Sequence, residues 1–77
     1  MMSKNRTYRI VLRKEPEGAY TAFVPSLPGC ITWGNIVEHA LEVAKNAIEE
    51  YIAVLKEEGE SVPDDNETLE YSLQLSA

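Results

Sequence analysis

The chain has 77 residues, a formal net charge of −6 and a single cysteine, which bounds it to one small domain with a thin core and no internal disulfide. The acidic balance argues against autonomous nucleic-acid binding, which needs a basic surface to displace phosphate counterions. No apolar run approaches the roughly 20 residues of a membrane-spanning helix, and residues 1–6 carry no signal-peptide pattern, so a cytoplasmic location is expected.

Residues 1–5 are polar and aperiodic and are expected to fray. Thr7 to Lys14 alternate, with Tyr8, Ile10 and Leu12 on one side and Thr7, Arg9, Val11 and Arg13 on the other, the pattern of a half-buried strand. Glu15-Pro16-Glu17-Gly18 reads as a turn, because Pro16 presets its φ and Gly18 allows a positive one. The chain then reverses into a second strand, Ala19 to Val24, with Tyr20, Ala22 and Val24 on one face and Thr21 and Phe23 on the other. Pro25 and Pro28 force a sharp turn, since neither can donate a ladder hydrogen bond. A short third strand, Cys30 to Trp33, follows Gly29 and ends at Gly34-Asn35.

From Ile36 the apolar period becomes helical: Val37, Ala40, Leu41, Ala44, Ala47, Ile48, Tyr51, Ile52 and Leu55 form one stripe. Asn35 is placed to cap the helix, with Glu38 as its capping-box partner. Gly59 is placed as the C′ stop, with Pro63 preventing a restart. A helix from Ile36 to Glu58 is longer than the strands it covers, so its last turns should overhang the sheet. Ser61 to Glu67 reads as an acidic loop, and Leu69, Tyr71, Leu73 and Leu75 alternate with Glu70, Ser72 and Gln74 as a fourth strand. The sequence thus predicts an α+β fold of order β-β-β-α-β. A right-handed crossover places the fourth strand parallel to the first, giving a mixed four-stranded sheet of order 3-2-1-4 with the helix on one face.

Gly18, Tyr20, the run Pro25, Leu27, Pro28, Gly29, Cys30, then Gly34, Glu38, Ala40, Leu41, Ala44 and Ala47 stand in an order and spacing that resembles the HicB family of bacterial antitoxins. The resemblance covers about residues 8 to 63. Two departures stand out: the family's Gly-Asp-Thr at the helix start is Gly34-Asn35-Ile36 here, and its following acidic pair is Glu38-His39. The resemblance implies a partial RNase H-like core and neutralisation of a HicA toxin, a small basic ribonuclease with a double-stranded-RNA-binding-domain-like fold that cleaves mRNA using a histidine. Many members carry an additional C-terminal DNA-binding domain; this chain reads as a single domain over residues 1–77, with an ordered core about 6–76 and no such domain expected.

An RNase H-like fold invites a metal-dependent nuclease reading, but that chemistry needs several converging carboxylates. The only aspartates, Asp64 and Asp65, fall in the acidic loop, where solvated charge is the better reading. Cys30 lacks a nearby base and reads as a small core residue, and His39 with Glu42 offers too few ligands for a zinc site. No enzyme activity, catalytic residue, metal or cofactor is therefore expected. The informative surface is the sheet face turned from the helix, where Arg9, Val11, Arg13 and Phe23, joined by Trp33 and Ile31, would form an apolar patch rimmed by arginines. The alternative register buries Ile31 and Trp33 as core. Thr32 on the third-strand edge and Leu55 on the overhanging helix complete the candidate interface residues. The expected function is a non-enzymatic antitoxin that occludes a HicA-type toxin and forms a homo-oligomer, most simply a dimer. A stand-alone small-ligand-binding domain and an oligomeric scaffold without a toxin are the alternatives from other classes.

Overall fold

In the computed structural model, which describes residues 5–76, three strands, β1 (Val11–Lys14), β2 (Tyr20–Phe23) and β3 (Ile31–Gly34), precede one helix, α1 (Val37–Glu57). The expected fraying falls mainly on residues 1–4, outside the described residues. The strands form an antiparallel sheet of order β1-β2-β3, and α1 lies over β2 and β3 on one face. Cross-strand partners run Val11–Phe23–Ile31, Leu12–Ala22–Thr32 and Arg13–Thr21–Trp33.

The strands are shorter than the alternation predicts because the turns capture their ends. Val24 donates its N–H to the Cys30 carbonyl at 3.1 Å, Leu27 to Val24 at 2.9 Å and Cys30 to Leu27 at 2.9 Å. These bonds close a compact loop over Pro25 to Gly29, so β1–β2 pairing stops at Phe23 and β3 starts at Ile31. Gly29 takes φ 82° within it, a conformation in which a β-carbon is strained. Leu27, fully buried, points from this loop into the core with Val24, Cys30 and Ile48. Tyr8, Ile10, Ala47, Tyr51, Ile52 and Leu55 pack around that cluster. The Tyr51 hydroxyl donates to the Pro28 carbonyl at 2.8 Å, pinning the loop to the helix.

The helix begins one residue later than the capping residues predict. Ile36 is the N-cap and makes no side-chain cap bond. Asn35 does not cap; its N–H instead faces Nδ1 of His39 at 3.4 Å. The close fit of Gly34 governs this entry: a β-carbon there would stand 2.4 Å from the Ala40 nitrogen and 2.6 Å from its Cα. Ala40 and Ala44, both fully buried, continue the narrow stripe that lets α1 descend on β3. Leu41, placed in the buried stripe by periodicity, is exposed. At the other end Gly59, at φ 72°, donates to the Lys56 carbonyl and Glu60 to Leu55, a Schellman closure that ends the helix where the sequence indicates.

The fourth strand is the main departure: the sheet has three strands among the described residues, and Leu69 to Leu75 pair with none of them. Order 3-2-1-4 is therefore not formed among the described residues. The loop after α1 does return beside the chain leading into β1, where Asp65 donates its N–H to the Thr7 carbonyl at 2.8 Å and Thr7 donates to Oδ1 of Asn66 at 2.7 Å. Glu70 still meets Arg9 there, its Oε1 accepting from Nη1 at 2.9 Å, while Leu69, Tyr71, Leu73 and Leu75 stay exposed. Alternation specifies an apolar face but not the surface that covers it, and among the described residues nothing does.

Candidate protein-binding face

The register decides the face of every strand residue. Ala22, fully buried, fixes the helix side, so its cross-strand neighbours Leu12 and Thr32 share that side. Val11, Phe23 and Ile31 then make one row on the opposite face, and Arg13, Thr21 and Trp33 the next. Ile31 and Trp33 are exposed, as is Val11, so the third strand presents them outward rather than as core. Neighbouring strands stand ~4.8 Å apart, which brings the six side chains into one continuous patch.

One edge of this patch is electrostatically ordered. The Arg13 guanidinium lies 5.0 Å from the centre of the Phe23 ring, and its Nε is 3.0 Å from Oε2 of Glu15. The Thr21 hydroxyl donates to the same Glu15 oxygen at 2.6 Å. These contacts, the Thr21 hydrogen bond first and Arg13 second, hold the Glu15 carboxyl below its ordinary range. Arg13 is thereby oriented along the aromatic face with its planar donors still largely exposed, a form suited to carboxylate or backbone oxygens of a partner.

The seven residues singled out by sequence divide among three places. Val11, Arg13, Phe23 and Trp33 come together on the open face. Arg9 does not join them: its guanidinium is engaged at the return loop, 2.9 Å from Oε1 of Glu70 and 3.7 Å from Oδ1 of Asp65. Thr32 and Leu55 lie on the helix side, lining a groove between the β3 edge and the last turns of α1. Thr32 Oγ1 is buried there with no hydrogen-bond partner among the described residues.

Three residues carry more than the sequence indicates. Thr21 and Glu15 order Arg13, a role visible only once the hairpin pairs them. Asp65, read as solvated charge, is 5% exposed. It accepts from the Arg9 N–H at 2.8 Å and from the Ser26 hydroxyl. An Asp-Asn pair before a turn is the one sequence feature that could have marked it.

Cys30 is buried among apolar neighbours, and burial pushes its thiol pKa up, away from the reactive thiolate. Among the described residues no group of three or more His, Cys, Asp or Glu side chains is placed to hold a metal ion, and no helix is long and apolar enough to cross a membrane. The arrangement is a preformed surface: a two-layer α+β domain whose uncovered sheet face carries aromatic, aliphatic and arginine side chains.

Comparison with known proteins agrees with that class. The family model described as the HicB-like antitoxin of bacterial toxin-antitoxin systems matches residues 8–76, and the chain belongs to this family. It is 42% identical over 59 residues to a UPF0150 protein of Thermoplasma acidophilum, spanning 77% of this chain and 86% of that one. A UPF0150 protein of Archaeoglobus fulgidus is 42% identical over 57 residues, 71% of this chain and 83% of the relative. Among solved structures, the N-terminal domain of the Burkholderia pseudomallei antitoxin HicB superposes with a TM-score of 0.67 at 30% identity, covering 73% of this chain and 66% of that one.

Proposed function

We propose that this protein is the antitoxin of a type II toxin-antitoxin system that binds a HicA-type mRNA-cleaving toxin in the cytoplasm and blocks its RNA-binding and catalytic surface. The observation that carries this reading is the Val11–Phe23–Ile31 and Arg13–Thr21–Trp33 pair of rows, uncovered on an acidic member of the HicB-like family. Inhibition is by occlusion, with the protein itself doing no chemistry. Its charge of −6 speeds encounter with a basic ribonuclease, while the aromatic and aliphatic rows supply the desolvated contact.

The test is co-expression with a small basic HicA-type toxin, reading growth rescue and, with purified proteins, mRNA protection. The unmodified chain should rescue growth. The double variant Val11→Glu, Trp33→Glu, altered only at exposed positions, should remain folded and lose rescue. Rescue that survives this variant removes the open face from the mechanism. Absence of binding by the unmodified chain removes the antitoxin reading itself.

A further inference from the structure

Leu69, Tyr71, Leu73 and Leu75 are between 76% and 88% exposed, which is costly for four large apolar side chains so close together. Glu70, Ser72 and Gln74 alternate with them in the sequence, the spacing that would put the two sets on opposite sides of a strand. The molecule is elongated: the radius of gyration is 14.5 Å and the longest extent 48 Å, where a compact chain of this length has a radius of about 11.5 Å. A row of apolar residues with strand spacing and no ladder partner is half of a structure.

The other half lies at the opposite edge of the sheet. β3 is an outer strand, so one side of its backbone is unpaired. Between that edge and α1 runs a groove of about 470 Å³ lined by Cys30, Thr32, Ala47, Tyr51, Val54 and Leu55, among others. Val54 is exposed on its rim, and Thr32 Oγ1 is buried in it with no partner among the described residues. A chain's own tail is poorly placed to fill this groove, because Asp65 and Asn66 anchor it beside Thr7 at the β1 side. The β1 side is also the less receptive edge, already occupied by the Asp65 contacts and flanked by the Arg9–Glu70 and Arg13–Glu15 pairs.

We infer that Leu69–Leu75 of one protomer adds as a strand to the β3 edge of a second copy, seating its Leu and Tyr side chains in that copy's β3–α1 groove, and that the exchange is reciprocal. Each copy carries both tail and groove, so two-fold symmetry satisfies both at once. Large apolar side chains of this kind carry on the order of 150 Å² each, so the two tails alone remove about 1,200 Å² from water, the size of a stable interface. The exchange occupies the helix side and leaves the Val11–Trp33 face free, so it goes beyond the antitoxin reading and does not depend on it.

Sedimentation of the full chain across micromolar concentrations tests it. The unmodified protein should be a dimer. The tail variant Tyr71→Asp, Leu73→Asp and the groove variant Val54→Asp should each sediment as monomers with at least a tenfold weaker association. These positions are exposed, so cooperative thermal unfolding should persist and separates loss of exchange from loss of fold. Mixing Leu73→Cys chains with Val54→Cys chains under mild oxidation should give a covalent dimer several-fold more abundant than either chain alone. A monomeric unmodified protein, a tail variant that stays dimeric, or no excess of the mixed cross-link overturns the proposal. Toxin binding by the monomeric tail variant would leave the antitoxin reading standing whichever way exchange falls.

Discussion

Asp65 and Arg9 are joined through both main chain and side chain: the Arg9 N–H donates to Oδ2 of Asp65 at 2.8 Å, and the Arg9 Nε lies 3.7 Å from Oδ1. With the Ser26 hydroxyl on Oδ1 and the Asp65 N–H on the Thr7 carbonyl, one buried carboxylate ties the return loop to the chain entering β1 and to the Pro25 turn. Charge buried this deeply is tolerated because its acceptor sites are filled.

Asp65→Ala should therefore lower unfolding free energy by about 1–3 kcal/mol, since it strands buried donors that the carboxylate now satisfies. Urea unfolding of the variant against the parent measures this; an unchanged midpoint would show the loop to be dispensable.

The same group sets an acid dependence. The Arg9 N–H first, then the Ser26 hydroxyl, hold the Asp65 carboxyl below its ordinary range. A folded-state pKa below the unfolded value gives stability that is complete above the unfolded value of about 3.9 and is lost as pH falls through the lower folded value. The Tm should decline below about pH 4, and Asp65→Asn should flatten that decline.

Gly34→Ala should destabilise by about 1–3 kcal/mol, because the added methyl group meets the Ala40 backbone, which cannot yield without shifting α1. The 2.4 Å approach to the Ala40 nitrogen is to main chain, not to a flexible side chain. Thermal unfolding reads the loss; wild-type stability would mean that the helix entry can slide.

Leu27→Ala should cost about 2–5 kcal/mol, the range for emptying a fully buried aliphatic position. Leu27 closes the core beneath the Pro25–Gly29 loop. Chemical denaturation should show the drop, whereas Pro25→Ala, on the exposed side of the same loop, should change stability far less.

Raising ionic strength should slow association with the proposed basic toxin more than it hastens dissociation, because the −6 charge acts at a distance while the apolar rows act in contact. Stopped-flow or surface-binding kinetics in a salt series measures both rates. An association rate indifferent to salt would exclude charge steering.

The order of β1, β2, β3 and α1, the faces of β1 and β2 and the end of α1 were readable from the chain, because they rest on local physics. Alternation assigned Val11, Arg13 and Phe23 to one side, and Gly59 carried the helix stop in its own backbone freedom. Trp33 was ambiguous in sequence, since a four-residue run fits either register; pairing with Thr21, opposite the buried Ala22 row, turned it outward. The cap at Asn35 failed because the fit of Gly34 against Ala40 sets where α1 starts, a distance between elements that no local propensity encodes. Asp65 looked like solvated loop charge until tertiary contact brought Arg9 and Ser26 to it. For Leu69 to Leu75 the sequence determined only that one side of the segment is apolar. Which surface meets that side depends on the path of the return loop, and Asp65 and Asn66 fix that path by holding the chain at Thr7, away from the open groove of its own β3.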